Sequence, residues 1–256
     1  MKRIVLKVGS AVLTQDNELA IQRLSNLVDL IAQLKKQYEV ILVSSGAVAA
    51  GYTLLPLDKS LVGNKQALAS IGQPLLMKEY KKNFNAHNII CSQVLLTADD
   101  FDSRKRTRYA AGALEILLSN GVLPIINEND VTATEELVFG DNDQLAAHVT
   151  YHFDADMLII LTDIDGYYNK NPHLYPDAVL QKTINRIDDA MLNVEHSPNT
   201  TFATGGIATK LKAAQFLLEK NNKMYLSSGF ELENAYEFLL NSNHQSGTLF
   251  VNKTNI

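Results

Sequence analysis

One cysteine, Cys91, stands among 256 residues, inside the apolar run IICSQVLL at 89–96. A lone thiol in such surroundings excludes a disulfide framework and a cysteine-built metal site, and reads as a core residue. No apolar run approaches the roughly 18 residues of a membrane span. Lys2 and Arg3 lead straight into a strand-like segment, with no secretory leader's apolar stretch and cleavage site; the expected location is the cytoplasm. Basic residues are outnumbered 23 to 28, for a net charge of −5, and gather only at Arg104–Arg108. That balance argues against a nucleic-acid partner. Neither GxxxxGK[ST] nor GxGxxG occurs, so the two commonest nucleotide-binding loops are missing. The histidines (His87, His148, His152, His173, His196, His244) are scattered, with no Ser-His-Asp or Cys-His arrangement, and each is expected at the surface or in packing. No repeat, low-complexity tract or linker interrupts the chain.

What is present suits a soluble globular protein: 46% hydrophobic and 20% charged residues in a chain long enough for a full core. β-Branched runs predict strands at 3–8, 40–43, 89–96, 122–127, 157–161, 224–226 and 247–251. Periodic stretches predict helices at 19–36 (stripe Ile21, Leu24, Leu27, Val28, Ile31, Leu34), 64–85, 107–120, 144–150 and 231–240, and the glycine turn 204–210 feeds a further helix to about residue 220. The second helix should kink or break at Gly72-Gln73-Pro74. Residues 52–63, the acidic stretch 97–102 and the aromatic stretch 167–176 read as loops. The alternation of strand and helix predicts an α/β fold, a mostly parallel sheet with helices on both faces.

The densest chemistry lies in VLPIINENDVTATEELVFGDND at 122–143. An apolar strand ends abruptly in Asn127, Glu128, Asn129 and Asp130. Glu135 and Glu136 follow, then Gly140 and Asp141-Asn142-Asp143 at a helix start; residues 133–139 suit a hairpin. Turns and helix N-caps account for single residues of this kind. Two linked clusters instead suggest one wall of a polar site at the carboxyl end of a sheet. Three further features point to anionic chemistry. Lys7 ends an apolar strand before Gly9-Ser10. Ser44-Ser45-Gly46 ends another and leads into small residues, offering backbone donors and room for a ligand. Lys210 closes TGGIATK in a predicted first helical turn, an uncomfortable place for a cation unless an anion such as phosphate sits beside it, and Gly205-Gly206 offer backbone donors to the same anion. Lysines, glycine-rich strand ends and a carboxylate cluster together form what phosphoryl transfer needs.

On these motifs the chain resembles the amino-acid kinase family, and within it the enzymes acting on free glutamate. The matching segments are KVGSAVLT at 7–14, VSSGAVAAG at 43–51, PIINENDVTATEE at 124–136, FGDNDQLAA at 139–147, LTDIDGYY at 161–168 and ATGGIATKLKAA at 203–214. The resemblance implies an open, mostly parallel eight-stranded sheet between helical layers. It implies transfer from ATP, with magnesium held mainly by the ATP phosphates, to the γ-carboxylate of L-glutamate in proline biosynthesis. It implies feedback inhibition by proline and a homodimer or homotetramer. Lys7, Asp143 and Lys210 would be catalytic, the carboxylate organising both lysines. Ser45, Gly46, Asn127, Asp130, Asp141 and Asn142 would line the glutamate site. Lys7, Gly9, Thr162, Asp163, Thr204, Gly205, Gly206, Ile207, Ala208, Thr209 and Lys210 would hold ATP. Residues 1–150 would form mainly the glutamate-binding lobe and 151–256 mainly the ATP-binding lobe of one domain. The chain would be a short form, without the C-terminal PUA domain many relatives carry. Ser10 replaces a threonine common in relatives and keeps the hydroxyl. Two rival readings are a kinase of the same family for N-acetylglutamate, aspartate, carbamate or a nucleoside monophosphate, and a binding module without catalysis. The second should lack Lys7, Lys210 or Asp143, and all three are present.

Overall fold

The computed structural model describes residues 1–133, 142–172, 174–192 and 206–253. The chain opens with β1 (Lys2–Val8), the single turn α1 (Ser10–Leu13) and a small hairpin of β2 (Thr14–Gln15) and β3 (Glu18–Leu19). Asp16 and Asn17 turn it with φ of 52° and 64°, a left-handed conformation that short polar side chains tolerate. There follow α2 (Ile21–Leu34), β4 (Tyr38–Ser44), α3 (Ala47–Tyr52), α4 (Val62–Asn85), β5 (Cys91–Leu96), α5 (Ala98–Asp102), α6 (Arg104–Ser119) and β6 (Leu123–Glu128). The remainder is α7 (Asn142–His152), β7 (Met157–Thr162), β8 (Thr183–Ile184), α8 (Asp189–Leu192), α9 (Gly206–Glu219), β9 (Lys223–Ser228), α10 (Glu233–Leu240) and β10 (Thr248–Phe250).

Eight strands form one sheet in the order β5-β6-β4-β1-β7-β9-β10-β8. The first six run parallel; β10 is antiparallel to β9, and β8 is parallel to β10. The sheet grows from β1 outward through β4, β6 and β5, and then in the other direction through β7 and β9. The topological switch therefore falls at β1, where an α/β sheet places its ligand crevice beyond the carboxyl strand ends. Register aligns Val8 with Ser44 on one side and Leu161 on the other, so Gly9, Ser45 and Thr162 emerge side by side.

Strand alternation divides the core between the two faces of the sheet. Ile4, Leu6 and Val8 pack with α2 and α4, whereas Val5 packs on the face covered by α6, α7 and α9. Lys7 shares that second face, at a position the pattern would give to an apolar residue.

Several expectations are corrected. α4 runs unbroken through Pro74, so the break, one of the two expected effects of that proline, does not occur. The packing that holds it is glycine-dependent: a Cβ on Gly72 would fall 1.8 Å from the carbonyl oxygen of Ala47, and one on Gly51 would fall 2.0 Å from that of Leu68. This close approach of the α3 and α4 backbones packs the helix on the two turns before Pro74, whose ring would by itself cost an isolated helix roughly 3 kcal/mol. The acidic stretch 97–102 holds a helix, α5, because Thr97 and Asp100 form a reciprocal capping box. The predicted helix from residue 19 begins two residues later, since 18–19 belong to the hairpin, and Ile21 is exposed. α1, β2, β3, β8 and α8 were not expected; each is two to four residues long, too short to show a period. Cys91 is half-buried against the core, and burial pushes its thiol pKa up. The predicted hairpin at 133–139 lies, from 134 onward, outside the described residues.

Candidate active site

At the switch point the structure joins three elements through one carboxylate. Lys7 of β1, Asp143 of α7 and Lys210 of α9 are 2%, 0% and 4% exposed. Lysines are almost never so buried without a partner. The Lys7 Nζ lies 2.5 Å from Asp143 Oδ1, and the Lys210 Nζ lies 3.1 Å from Oδ2. Thr209 Oγ1 donates to the same Oδ2 at 3.0 Å, and Lys210 also donates to the Gly206 carbonyl at 2.8 Å. Gln144 ties α7 to α9 by donating to the Thr209 carbonyl at 3.0 Å. Asp143 lies in the first turn of α7, where the helix dipole favours an anion. It is not a cap; it is a bracket for two cations.

Gly9 lies beside this bracket. Its N–H donates to the Leu161 carbonyl at 3.0 Å, so what it offers a ligand is space. An added Cβ would lie 3.8 Å from both the Lys7 Nζ and Thr162 Oγ1. Thr162 donates to Asp163 Oδ1 at 2.9 Å, and the Asp163 side chain is exposed at the carboxyl end of β7. Gly206 opens α9 rather than belonging to a preceding turn, and Ile207 packs its side chain on the core, leaving only its backbone for a ligand. Ala208 is half-buried on the same helix. Thr204, Gly205 and Asp141, together with Glu135 and Glu136, lie outside the described residues.

On the β4–β6 side, a cavity of about 540 Å³ is lined by Ser45, Gly46, Asn127, Asp130 and Asn142. The structure thus brings these five sequence-predicted residues together. Gly46 turns the chain from β4 into α3 with φ of 108°, a conformation that favours glycine. The wall is built from amides whose polarity is set by the backbone. The Ser44 carbonyl can only accept, so Asn142 presents Nδ2 to it at 3.2 Å, and the two hydrogens of that group are shared among this carbonyl, Ser45 Oγ and Asn127 Oδ1, the last two each at 2.9 Å. The Glu128 N–H can only donate, and it reaches the same Asn127 Oδ1 at 2.9 Å. Asn127 Nδ2 is thereby turned toward Gln73 Oε1 at 2.9 Å, and Gln73 Nε2 donates to Gln93 Oε1 at 3.3 Å. Since Ser45 Oγ already accepts, its hydrogen is available to a ligand in the cavity. Asp130 is half-buried and has no ion pair among the described residues; desolvation raises its pKa above the ordinary carboxylate value.

Sequence reasoning missed Gln73, Asn17, Lys59 and Lys65. Gln73 carried a signal, a polar residue on the inward stripe of α4 beside Leu76 and Met77. Asn17 and Lys59 are on a turn and a loop with no periodicity. His148 and His152 do not line this cavity; they stack between Phe101 and Phe216, and burial, then the neighbouring His152, lowers the His148 pKa to about 4. No described helix is long and apolar enough to cross a membrane.

The model of the amino acid kinase family matches residues 2–227. The chain is 56% identical over 253 residues to a glutamate 5-kinase of Leishmania donovani, covering 99% of this chain and 96% of that one. It is likewise 56% identical over 256 residues to a glutamate 5-kinase of Wolinella succinogenes, covering 98% of each. An isopentenyl phosphate kinase structure superposes with a TM-score of 0.69 at 18% identity, over 97% of this chain and 100% of that one, a likeness of fold alone.

Proposed function

The chain belongs to the amino acid kinase family and, within it, to the glutamate 5-kinases, and from that membership we propose that its cleft moves the γ-phosphoryl group of ATP onto the γ-carboxylate of L-glutamate. The products are L-glutamyl 5-phosphate and ADP, in the first step of proline synthesis. The observation that carries this reading is the buried Lys7–Asp143–Lys210 bracket at the topological switch. Its formal charge is +1, facing a reaction in which negative charge spreads over the transferred group. A carboxylate oxygen of the acceptor attacks the γ-phosphorus as the bond to the ADP oxygen breaks. The attacking carboxylate is already ionised at neutral pH, so no proton has to be removed and no general base is required. The site's chemistry is accordingly one of cations and positioning.

Lys7 and Lys210 meet the phosphoryl oxygens, and Asp143 holds both ammonium groups in place. Gly9 leaves room for the phosphates; Thr162, Asp163 and the start of α9 hold the rest of the nucleotide, with Thr204 and Gly205 assigned by the family motif. Asp143 already faces two ammonium groups and a hydroxyl. Magnesium would be held mainly by the ATP phosphates, where it would supply further positive charge. Ser45, Gly46, Asn127, Asp130 and Asn142 grip glutamate, with Asp141 assigned by the motif. Residues 1–150 supply mainly the acceptor half and 151–256 mainly the nucleotide half, with Lys7, Gly9 and Asp143 reaching across. The test is ADP release with free glutamate, N-acetylglutamate, aspartate and UMP as acceptors. Free glutamate should give the highest kcat/KM; preference for any of the others would overturn the assignment.

Proline should compete with glutamate, because it presents the same α-ammonium and α-carboxylate but no side-chain carboxylate to phosphorylate. The segment Val131–Phe139, described only as far as Ala133, joins the two acceptor clusters in sequence, and substitutions at Glu135 or Glu136 should alter proline sensitivity more than kcat. Proline titrated at several glutamate concentrations tests this; relief by ATP instead of glutamate would refute it. The assembly, a dimer or tetramer of this chain, is measurable by light scattering on the eluting protein.

A further inference from the structure

The acceptor cavity carries a second charged pole that the family motifs do not name. Lys59, half-buried on the loop before α4, lines it opposite in sign to Asp130. Its ammonium donates to Asn17 Oδ1 at 2.6 Å, and it lies 4.3 Å from the centroid of the Tyr52 ring. Both partners are neutral. The adjacent carboxylate, Asp58, is turned away: its two oxygens accept from the Ser60 N–H at 2.9 Å and the Ser60 hydroxyl at 2.8 Å, which also lowers its pKa. Lys59 has no carboxylate partner among the described residues, and neither does Asp130 have a cation.

Four charged residues line the cavity, Lys59, Lys65, Glu128 and Asp130, and of these Lys59 and Asp130 form no ion pair with each other or with any other described residue. Charged groups in part-buried positions are normally compensated, and the ligand that compensates both is a zwitterion. We propose that Lys59, held over the cavity by Asn17 from the β2–β3 turn and by the Tyr52 ring from α3, is a specificity-determining residue that receives the α-carboxylate of the amino-acid acceptor while Asp130 receives its α-ammonium. The γ-carboxylate is then left to extend toward Lys7 and Gly9. This rests on the acceptor assignment above and adds to it the residue that distinguishes an α-amino acid from an acid lacking the α-carboxylate. The neighbouring Lys65 lines the same cavity, but the assignment concerns Lys59, whose contacts are all neutral.

The experiment compares Lys59→Met, Lys59→Arg and the unaltered protein in steady-state kinetics, with 4-aminobutyrate (glutamate without its α-carboxylate) as a competing ligand. Lys59→Met should raise KM for glutamate about tenfold, the scale of one hydrogen bond to a charged group. KM for MgATP and kcat should stay within about threefold, and the inhibition constant of 4-aminobutyrate should not move. Lys59→Arg should recover most of the glutamate affinity. An unchanged glutamate KM in Lys59→Met, or equal weakening of glutamate and 4-aminobutyrate, would overturn the assignment, the latter showing a loop contact without charge recognition. If the unaltered protein preferred N-acetylglutamate, whose amine carries no charge, the acceptor reading itself would fall along with this one. Activity on glutamate with an insensitive Lys59→Met would defeat this inference alone.

Discussion

The two halves of the cleft solve the problem of burying polar groups in opposite ways. The proposed phosphate half uses full charges: two lysines and an aspartate, all but completely buried, joined by ion pairs of 2.5 and 3.1 Å. In the proposed acceptor half the buried links are neutral amides, Asn142, Asn127 and Gln73 at 2.9 Å per step, their polarity set by one carbonyl and one N–H of the backbone, while its charged residues, Asp130 and Lys59, are only half-buried. An ion bracket keeps cations where charge will grow, but it is intolerant of losing a member, because the remaining charges stay buried. An amide chain carries little field and fixes geometry instead. Damage to the first should appear in kcat, and damage to the second in the acceptor's KM.

The sharpest way to break this contrast is Asp143→Asn, which keeps the shape and removes the charge. Two buried ammonium groups would then face each other uncompensated. A fall in kcat of about a thousandfold or more is expected, with a loss of roughly 3–5 kcal/mol in urea unfolding; a modest effect on both would mean that Asp143 does not organise the lysines. Next in size is Lys210→Ala, expected to lower kcat about a hundredfold or more while leaving KM for glutamate largely unchanged, with Lys7→Ala similar. Near-normal turnover in either variant would remove it from the mechanism.

On the other side of the comparison, Asn142→Ala and Asp130→Ala should raise KM for glutamate by about tenfold or more, with less effect on KM for ATP. Equal damage to both constants would dissolve the division between the halves. Smaller still is Gln73→Leu. It leaves the buried Asn127 Nδ2 without an acceptor, at about 1–3 kcal/mol of stability, and should shift glutamate KM only about threefold, as expected of a residue that acts through another. The smallest effect is a proton count. Burial raises the Asp130 pKa in the free protein, and an α-ammonium beside it would lower that pKa, so binding glutamate in mildly acidic buffer should release protons and weaken as pH falls. Calorimetry in buffers of different ionisation enthalpy reads this directly; uptake instead of release would place Asp130 away from the ammonium.

The same contrast governs how much could be read in advance. The charged half was legible because a lysine ending an apolar strand and another after a glycine pair are conspicuous, and strand alternation places Lys7 on an interior face. The sheet was legible for the same reason: its parallel strands are near-continuous apolar runs. The amide half was only partly so. Asn127 and Asn142 are in polar clusters that announce themselves, but Gln73 is embedded in a helix whose proline pointed to a break, and the close Gly51–Gly72 approach that packs this helix on α3 is visible only in three dimensions. Lys59 and Asn17 were illegible, since a loop and a two-residue turn carry no period and meet only in three dimensions.

The central claim, that a lysine-bracketed carboxylate drives transfer to the γ-carboxylate of glutamate, is tested most directly by trapping the acyl phosphate. Hydroxylamine converts it to a hydroxamate that can be quantified with time for the unaltered protein and for Lys210→Ala. Hydroxamate should form only with both ATP and glutamate present, and about a hundredfold more slowly in the variant, at the same half-saturating glutamate concentration. Equal rates in the two proteins, or hydroxamate formed from N-acetylglutamate but not from glutamate, would contradict the account.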